Sequence, residues 1–215
     1  MKGSGVRTIM VVGREALLGE RPFQGFSPAA AYDYESLILK GYRYAPRAEA
    51  EENPALKQPI AYCIIVNPRE RLVLAYRRAE REGDYAEKRL RGKWSMGVGG
   101  HIDPVDLDGA NPIRTSMLRE LGEEIVCPRA GEPRILGYIN DDVDMVGAVH
   151  FGLLYRLDTD ARSVASATRE IAEAKMIPAG EWRDRLARSD AAVEGWSRIA
   201  FGPLIASLCG LGSNL

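Results

Sequence analysis

Little in this sequence offers soft-metal or redox chemistry. Its 215 residues include 3 cysteines and 2 histidines. Cys63, Cys127 and Cys209 lie too far apart for a zinc or thiol–disulfide motif, which needs its ligands a few residues from one another. Three cysteines cannot all pair, and Cys63, inside an apolar run, reads as a small buried hydrophobe. Charge of one sign is also missing: 29 basic residues against 30 acidic ones leave a net charge of −1. That balance gives no global attraction to polymeric nucleic acid or to an anionic membrane. Long hydrophobic runs are absent too. The opening MKGSGVRTIMVVGREA is too short in apolar residues for a signal peptide, and no stretch reaches the ~20 residues of a membrane span. Together these absences predict a protein of the reducing cytoplasm.

What is present is globular, with 46% hydrophobic and 27% charged residues. The length fits one domain carrying an extension. Thr8 to Val12 form a β-branched run that predicts a strand, and Tyr32 to Leu39 predict a short helix. Ala45 to Pro59, rich in Pro, Ala and Glu, read as an exposed connector. Ile60 to Val66 and Arg71 to Tyr76 flank Asn67-Pro68-Arg69-Glu70, a hairpin signal. Residues Arg77 to Lys93 are charged and irregular. Beyond them comes Ser95-Met96-Gly97-Val98-Gly99-Gly100-His101-Ile102-Asp103, and then a helix with Asn111 as N-cap and Pro112 in its first turn. Its apolar stripe is Ile113, Met117, Leu118, Leu121 and Ile125. Further strands are expected at Arg134 to Ile139, Ala148 to Leu157 and Ala174 to Ile177, with closing helices at Pro178 to Leu186 and Ala191 to Leu208. Strands and helices interleave without a regular βαβ rhythm. That predicts a mixed sheet with helices on both faces.

The chemistry concentrates in Arg119-Glu120-Leu121-Gly122-Glu123-Glu124-Ile125. Residues three and four apart are neighbours on a helix, so Glu120, Glu123 and Glu124 gather on one side. Like charges so placed repel unless a cation sits among them, and a hard divalent ion with oxygen ligands suits the cluster. Taken alone, such a run is more often a solvated acidic face. The glycines just upstream raise the functional reading, because they permit close approach of backbone to a ligand or to the helix.

The combination resembles the Nudix hydrolase superfamily (MutT-like), whose signature is a glycine, a loop, and then R-E-apolar-x-E-E on a helix. Gly99-Gly100 and Arg119-Glu120-Leu121-Gly122-Glu123-Glu124 match it residue by residue. Phe23-Gln24-Gly25-Phe26, Lys57-Gln58-Pro59-Ile60-Ala61-Tyr62, Gly99-Gly100-His101-Ile102 and Val149-His150-Phe151-Gly152-Leu153 look like a branch labelled predicted phosphoesterase, so the resemblance covers nearly the whole chain. It implies an α/β (α+β) Nudix-type α/β/α sandwich with a mixed sheet. The expected layout is an N-terminal extension, 1–58, packed on a Nudix hydrolase domain, 59–215. The implied activity is hydrolysis of a pyrophosphate bond in a nucleoside diphosphate derivative or similar small metabolite. Mg2+, with Mn2+ as the alternative, would be held by Glu120, Glu123 and Glu124 and oriented through Arg119. Glu123, Glu124, Glu170 and Glu173 are the candidates for the general base. Gly99, Gly100, His101 and Arg77 are expected near the substrate. His150, by contrast, and most of the basic stretch Arg77, Arg78, Arg89, Arg91 and Lys93, interspersed with Glu80, Glu82 and Glu87, read as structural or solvated. Homodimers are frequent in the family.

The sequence departs from the signature in three ways. The loop before Arg119 is longer than the family's by about five residues. The early glutamate has no clear equivalent, Asp103, Asp106, Asp108 and Asn111 occupying its region; Asp106 and Asp108 are expected either to face solvent or to reach the metal. Val126 replaces the glycine after the glutamate pair, which challenges the usual turn there because a β-branched residue resists positive φ. Two alternatives compete. An isopentenyl diphosphate isomerase-like enzyme needs a cysteine beside the substrate, which none of the three cysteines is placed to supply. A non-catalytic nucleotide-binding module typically loses helix glutamates, and all three are kept here.

Overall fold

The computed structural model describes residues 6–80, 90–128 and 131–210. Chain order begins with β1 (Thr8–Gly13), α1 (Arg14–Leu18), β2 (Gly25–Pro28), α2 (Tyr34–Gly41), β3 (Arg43–Pro46) and α3 (Arg47–Glu52). The central strands follow: β4 (Leu56–Asn67), β5 (Leu72–Arg78), β6 (Trp94–Ser95) and β7 (Gly97–Val98). A 3-10 turn at Pro104–Asp108 then leads into α4 (Pro112–Glu124) and β8 (Ile125–Val126). The chain closes through β9 (Arg134–Asn140), α5 (Met145–Val149), β10 (His150–Asp158), β11 (Ala165–Ser166), β12 (Ile171–Pro178), α6 (Ala179–Ala187) and α7 (Gly195–Leu208).

The sheet is mixed. Its main path runs β12-β5-β4-β10-β9-β2, with β1, β3, β6 and β7 paired at the side. Only β4 and β10 run parallel along this path, from His150 opposite Gln58 to Asp158 opposite Val66. The hairpin expected around Asn67-Pro68-Arg69-Glu70 forms, with Val66 opposite Val73 and Asn67 opposite Leu72.

Strand β4 shows why two helical layers are needed. It is buried along its whole length, so alternate side chains must find apolar partners on opposite faces. Ala61, Cys63 and Ile65 pack with Ile113, Met117 and Leu121 of α4. Tyr62, Ile64 and Val66 pack with Trp182 of α6 and Ala200 and Leu204 of α7. Each fully buried large side chain contributes about 1.5–3 kcal/mol. The indole of Trp182 also donates to the Leu74 carbonyl at 3.0 Å, so its one polar atom is satisfied. The result is the expected mixed sheet between helices.

The connector expected between Ala45 and Pro59 is instead ordered structure. It holds the end of β3, all of α3 and the first residues of β4, with Lys57 and Gln58 fully buried. Burial of Lys57 is compensated by Asp142 at 2.7 Å and by the carbonyls of Gly147 and His150 at 3.1 and 3.2 Å. A charge taken out of water needs such partners. The segment before β4 is woven into the sheet as well: β1 pairs with β3, and its Val12 and Gly13 lie opposite Lys57 and Leu56 of β4. Of the irregular stretch before the glycines, Arg89, Glu82 and Glu87 lie outside the described residues. Among the described residues no helix is long and apolar enough to cross a membrane.

Candidate active site

Helix α4 carries the acidic cluster, and its local chemistry fixes both its start and its face. The Asn111 side chain accepts from the N–H groups of Ile113 and Arg114 at 3.0 and 3.2 Å, satisfying two of the free donors at the helix start. Ile113, Met117 and Leu121 anchor the adjoining stripe in the core. Glu120 and Glu124, one turn apart, are thereby held at the edge of that burial, while Glu123 stays 60% exposed. The helix stops at Glu124. Ile125 and Val126 continue as β8, antiparallel to Ser166 and Ala165 of β11. Ile125 is extended at φ −131. The turn usual in the signature, which Val126 put in question, is therefore replaced by a strand, which a valine favours.

Arg119 organises the cluster. Its Nε and Nη2 donate to the two oxygens of Asp106 at 2.9 and 3.0 Å, a bidentate pair. Its Nη1 donates to Glu120 at 2.7 Å and to Glu123 at 3.4 Å, and Nη2 also reaches the His101 carbonyl at 3.2 Å. Asp106 is 1% exposed, so it neither faces solvent nor joins the other carboxylates. It anchors Arg119 instead, and the 3-10 turn is what delivers it there. The side chain of Asp108 lies outside what the structure describes.

Burial sets the electrostatics. Glu124 is pushed up to about 7, chiefly by burial; Arg78 opposes the shift, and Glu120, Glu170 and Glu194 add to it. Burial also raises Glu120, against the pull of Arg119. One oxygen of Glu124, Oε2, is buried without a hydrogen-bond partner. Gly100 is the residue whose lack of a side chain makes room: a Cβ there would stand 2.3 Å from the carboxyl carbon of Glu120. Gly99 meets the backbone instead, its Cβ position lying 2.6 Å from the Ala61 carbonyl oxygen.

A cleft of about 480 Å³ opens over this cluster, lined by Arg7, Asp103, Val105, Arg119, Glu120, Glu123, Glu124, Thr168 and Glu170. That volume suits a small-molecule ligand. Two of the side chains expected near substrate do not reach it. Arg77 pairs with Glu80 at 2.5 Å on β5. The His101 ring turns away from the glutamates to Gln58 at 2.8 Å and His150 at 3.4 Å, and burial lowers its basicity. Glu173 pairs with Lys175 at 3.0 Å, whereas Glu170 faces the cleft. No cysteine lines it. Sequence reasoning missed Arg7 and Thr168, which come from segments far from the motif. It also missed the buried Glu194, bound by Tyr62 at 2.5 Å and facing Arg78 at 3.7 Å. Among the described residues no three His, Cys, Asp or Glu side chains stand close enough to hold a metal ion as arranged. Glu120 and Glu123 are drawn toward Arg119 instead.

A mixed sheet between helices, with a Gly-Gly turn set against an Arg-Glu-x-x-Glu-Glu helix at an acidic cleft, defines a Nudix-type protein. The chain belongs to that family: the NUDIX domain model matches residues 56–194. It is 38% identical over 149 residues to protein YmaB of Bacillus subtilis (strain 168), covering 67% of this chain and 68% of that one. Its fold is similar to that of Tm1382, described as a candidate Nudix hydrolase, with a TM-score of 0.69 at 26% identity over 93% of this chain and 99% of that one. The NUDIX domain of Shewanella oneidensis NrtR, solved with ADP ribose, shares the fold at a TM-score of 0.54 and 13% identity, over 71% and 88% of the two chains.

Proposed function

We propose that this protein hydrolyses the pyrophosphate bond of a nucleoside diphosphate derivative or a similar small metabolite, using Mg2+ or Mn2+ bound by Glu120, Glu123 and Glu124. The observation that carries the reading is Glu124: a buried carboxylate with an unpartnered oxygen, beside Glu120, at the floor of a cleft rich in carboxylates. Hard cations take such oxygen ligands. A cation there relieves the repulsion that burial and neighbouring carboxylates impose, and the donor set fits one once Glu120 and Glu123 turn from Arg119. When bound, the ion neutralises pyrophosphate oxygens and acidifies a coordinated water.

The chain's own residues have separate tasks. Arg119, held bidentately by Asp106, keeps Glu120 and Glu123 beside the cleft until a cation takes them, rather than meeting substrate. Glu170, on the segment entering β12, faces the cleft from outside α4 and takes the proton of the attacking water. ADP ribose, bound by the NUDIX domain of NrtR, belongs to the proposed substrate class.

The deciding experiment is a screen of nucleoside diphosphate derivatives with Mg2+ or Mn2+, run in parallel with Glu124→Gln. Metal-dependent phosphate-ester release by the wild type, absent in the variant, is the expected result. Binding of these compounds without turnover by the wild type would make the chain a nucleotide-binding module instead.

A further inference from the structure

Cleft and substrate pose an electrostatic problem that the family motif does not solve. The lining holds five carboxylates against two guanidiniums, Arg7 and Arg119. A diphosphate entering it is repelled unless a cationic side chain receives the phosphate lying beyond the metal. Arg119 is largely committed: its Nε and Nη2 donate to Asp106 and the His101 carbonyl, and only Nη1 is released when Glu120 and Glu123 turn to a cation. Arg7 is differently placed. Its side chain is 51% exposed and pairs with Asp103 through one nitrogen at 3.0 Å.

We propose that Arg7, carried to the cleft by the strand that precedes the family-matched segment, is the side chain that binds the substrate's second phosphate. The inference rests on the hydrolase reading for its substrate class. Three observations carry it. The backbone of Arg7 is fixed, because its carbonyl accepts from the Arg47 N–H at 2.9 Å. The strand is fixed beside the glycine-rich turn, where the Met10 N–H donates to the Ile102 carbonyl at 2.8 Å, one residue before Asp103. The side chain itself is held only by an exposed ion pair, which is a weak restraint. A phosphate offers the guanidinium a stronger, bidentate partner. Asp103, 22% exposed and with its Oδ1 buried and unpartnered, then loses its ion pair, a cost that phosphate binding must exceed. Val105, 64% exposed on the same wall, gives the non-phosphate part of the ligand an apolar edge.

The test measures binding of methylenediphosphonate, a non-hydrolysable pyrophosphate analogue, by calorimetry with magnesium present. The proteins compared are wild type, Arg7→Gln, Arg7→Lys and Arg43→Gln, the last removing the same charge from an exposed site on β3. Arg7→Gln is expected to weaken binding by about tenfold or more, as loss of a charge-assisted hydrogen bond should. Arg7→Lys should recover part of that loss, and Arg43→Gln should bind as the wild type does. Equal affinity for wild type and Arg7→Gln, or no binding by the wild type, overturns the inference. Arg7-dependent binding by a wild type that hydrolyses nothing in the substrate screen keeps the inference and removes the hydrolase reading. Hydrolysis with a KM unchanged in Arg7→Gln does the reverse.

Discussion

Glu124 sits where its neutral form is favoured, and this makes its charge visible in stability. Its folded pKa of about 7 stands above the usual 4.5. A raised pKa means that the fold has the full benefit of the protonated group below about pH 4.5. That benefit is lost as pH rises through about 7, amounting to on the order of 3 kcal/mol. In metal-free solution, Glu124→Gln should therefore melt close to the wild type at pH 5 and several degrees above it at pH 8, at roughly 2–4 °C per kcal/mol for a chain of this size. A melting-temperature gap that does not widen between those pH values would contradict the proposed burial cost. The same substitution should lower turnover by more than ~100-fold, beyond the loss seen when an outer partner of a metal site is removed. Asp106 is buried against its partner, so Asp106→Asn leaves Arg119 without its bidentate anchor. We expect a loss of ~2–3 kcal/mol by denaturant titration together with reduced turnover, because breaking a buried pair strands the remaining charge. Unchanged stability would show that the remaining partners of Arg119, Glu120, Glu123 and the His101 carbonyl, hold it without Asp106.

Helix α4 and the adjoining glycines were the legible elements, because their signals are local. An Asn cap, a Pro in the first turn and an apolar stripe at helical spacing depend on nothing outside residues 111–125. The β4–β5 hairpin was legible for the same reason. The beginning of β4 was not: Lys57 can be buried only because Asp142, 85 positions away in sequence, meets it. A Pro-, Ala- and Glu-rich composition therefore pointed to a connector where tertiary pairing made a strand. The turn at Pro104–Asp108 was misjudged similarly, since the Asp106 side chain accepts locally from the Asp103 N–H but is buried against Arg119, 13 positions away. The two glycines make the element-scale prediction. Gly99→Ala puts a Cβ against the Ala61 backbone oxygen of β4, which cannot swing aside. It should cost ~1–3 kcal/mol in thermal or denaturant unfolding, as overpacking does. The atoms nearest the Cβ of Gly100→Ala are all at the flexible end of Glu120. It should leave stability within ~1 kcal/mol of the wild type, because a side-chain end can turn away, while metal-dependent turnover falls by at least about tenfold as Glu120 is displaced. Equal stability losses in both variants would mean that strand and helix respond as one rigid unit.

At the scale of the molecule, stability and chemistry draw on different parts of the structure. The sheet is sealed on one face by α4 together with the N-terminal elements and on the other by α6 and α7, and both layers are apolar. None of Glu120, Glu123 or Glu124 belongs to either layer; they lie where α4 leaves the core. The fold should therefore form without a cation, unlike small metal-nucleated domains whose binding energy is their folding energy. Chelation should abolish hydrolysis and leave a cooperative melting transition. Adding Mg2+ back should raise the transition temperature, because an ion that binds only the folded state stabilises it in proportion to ln(1 + [L]/Kd). The rise should be larger at pH 8 than at pH 5, since at pH 5 Glu124 is already protonated and its penalty is relieved without metal. Calorimetric melts at both pH values, with chelator and with millimolar Mg2+, check all three points. Loss of the cooperative transition on chelation would make the ion structural. A rise equal at the two pH values would take Glu124 out of the ligand set.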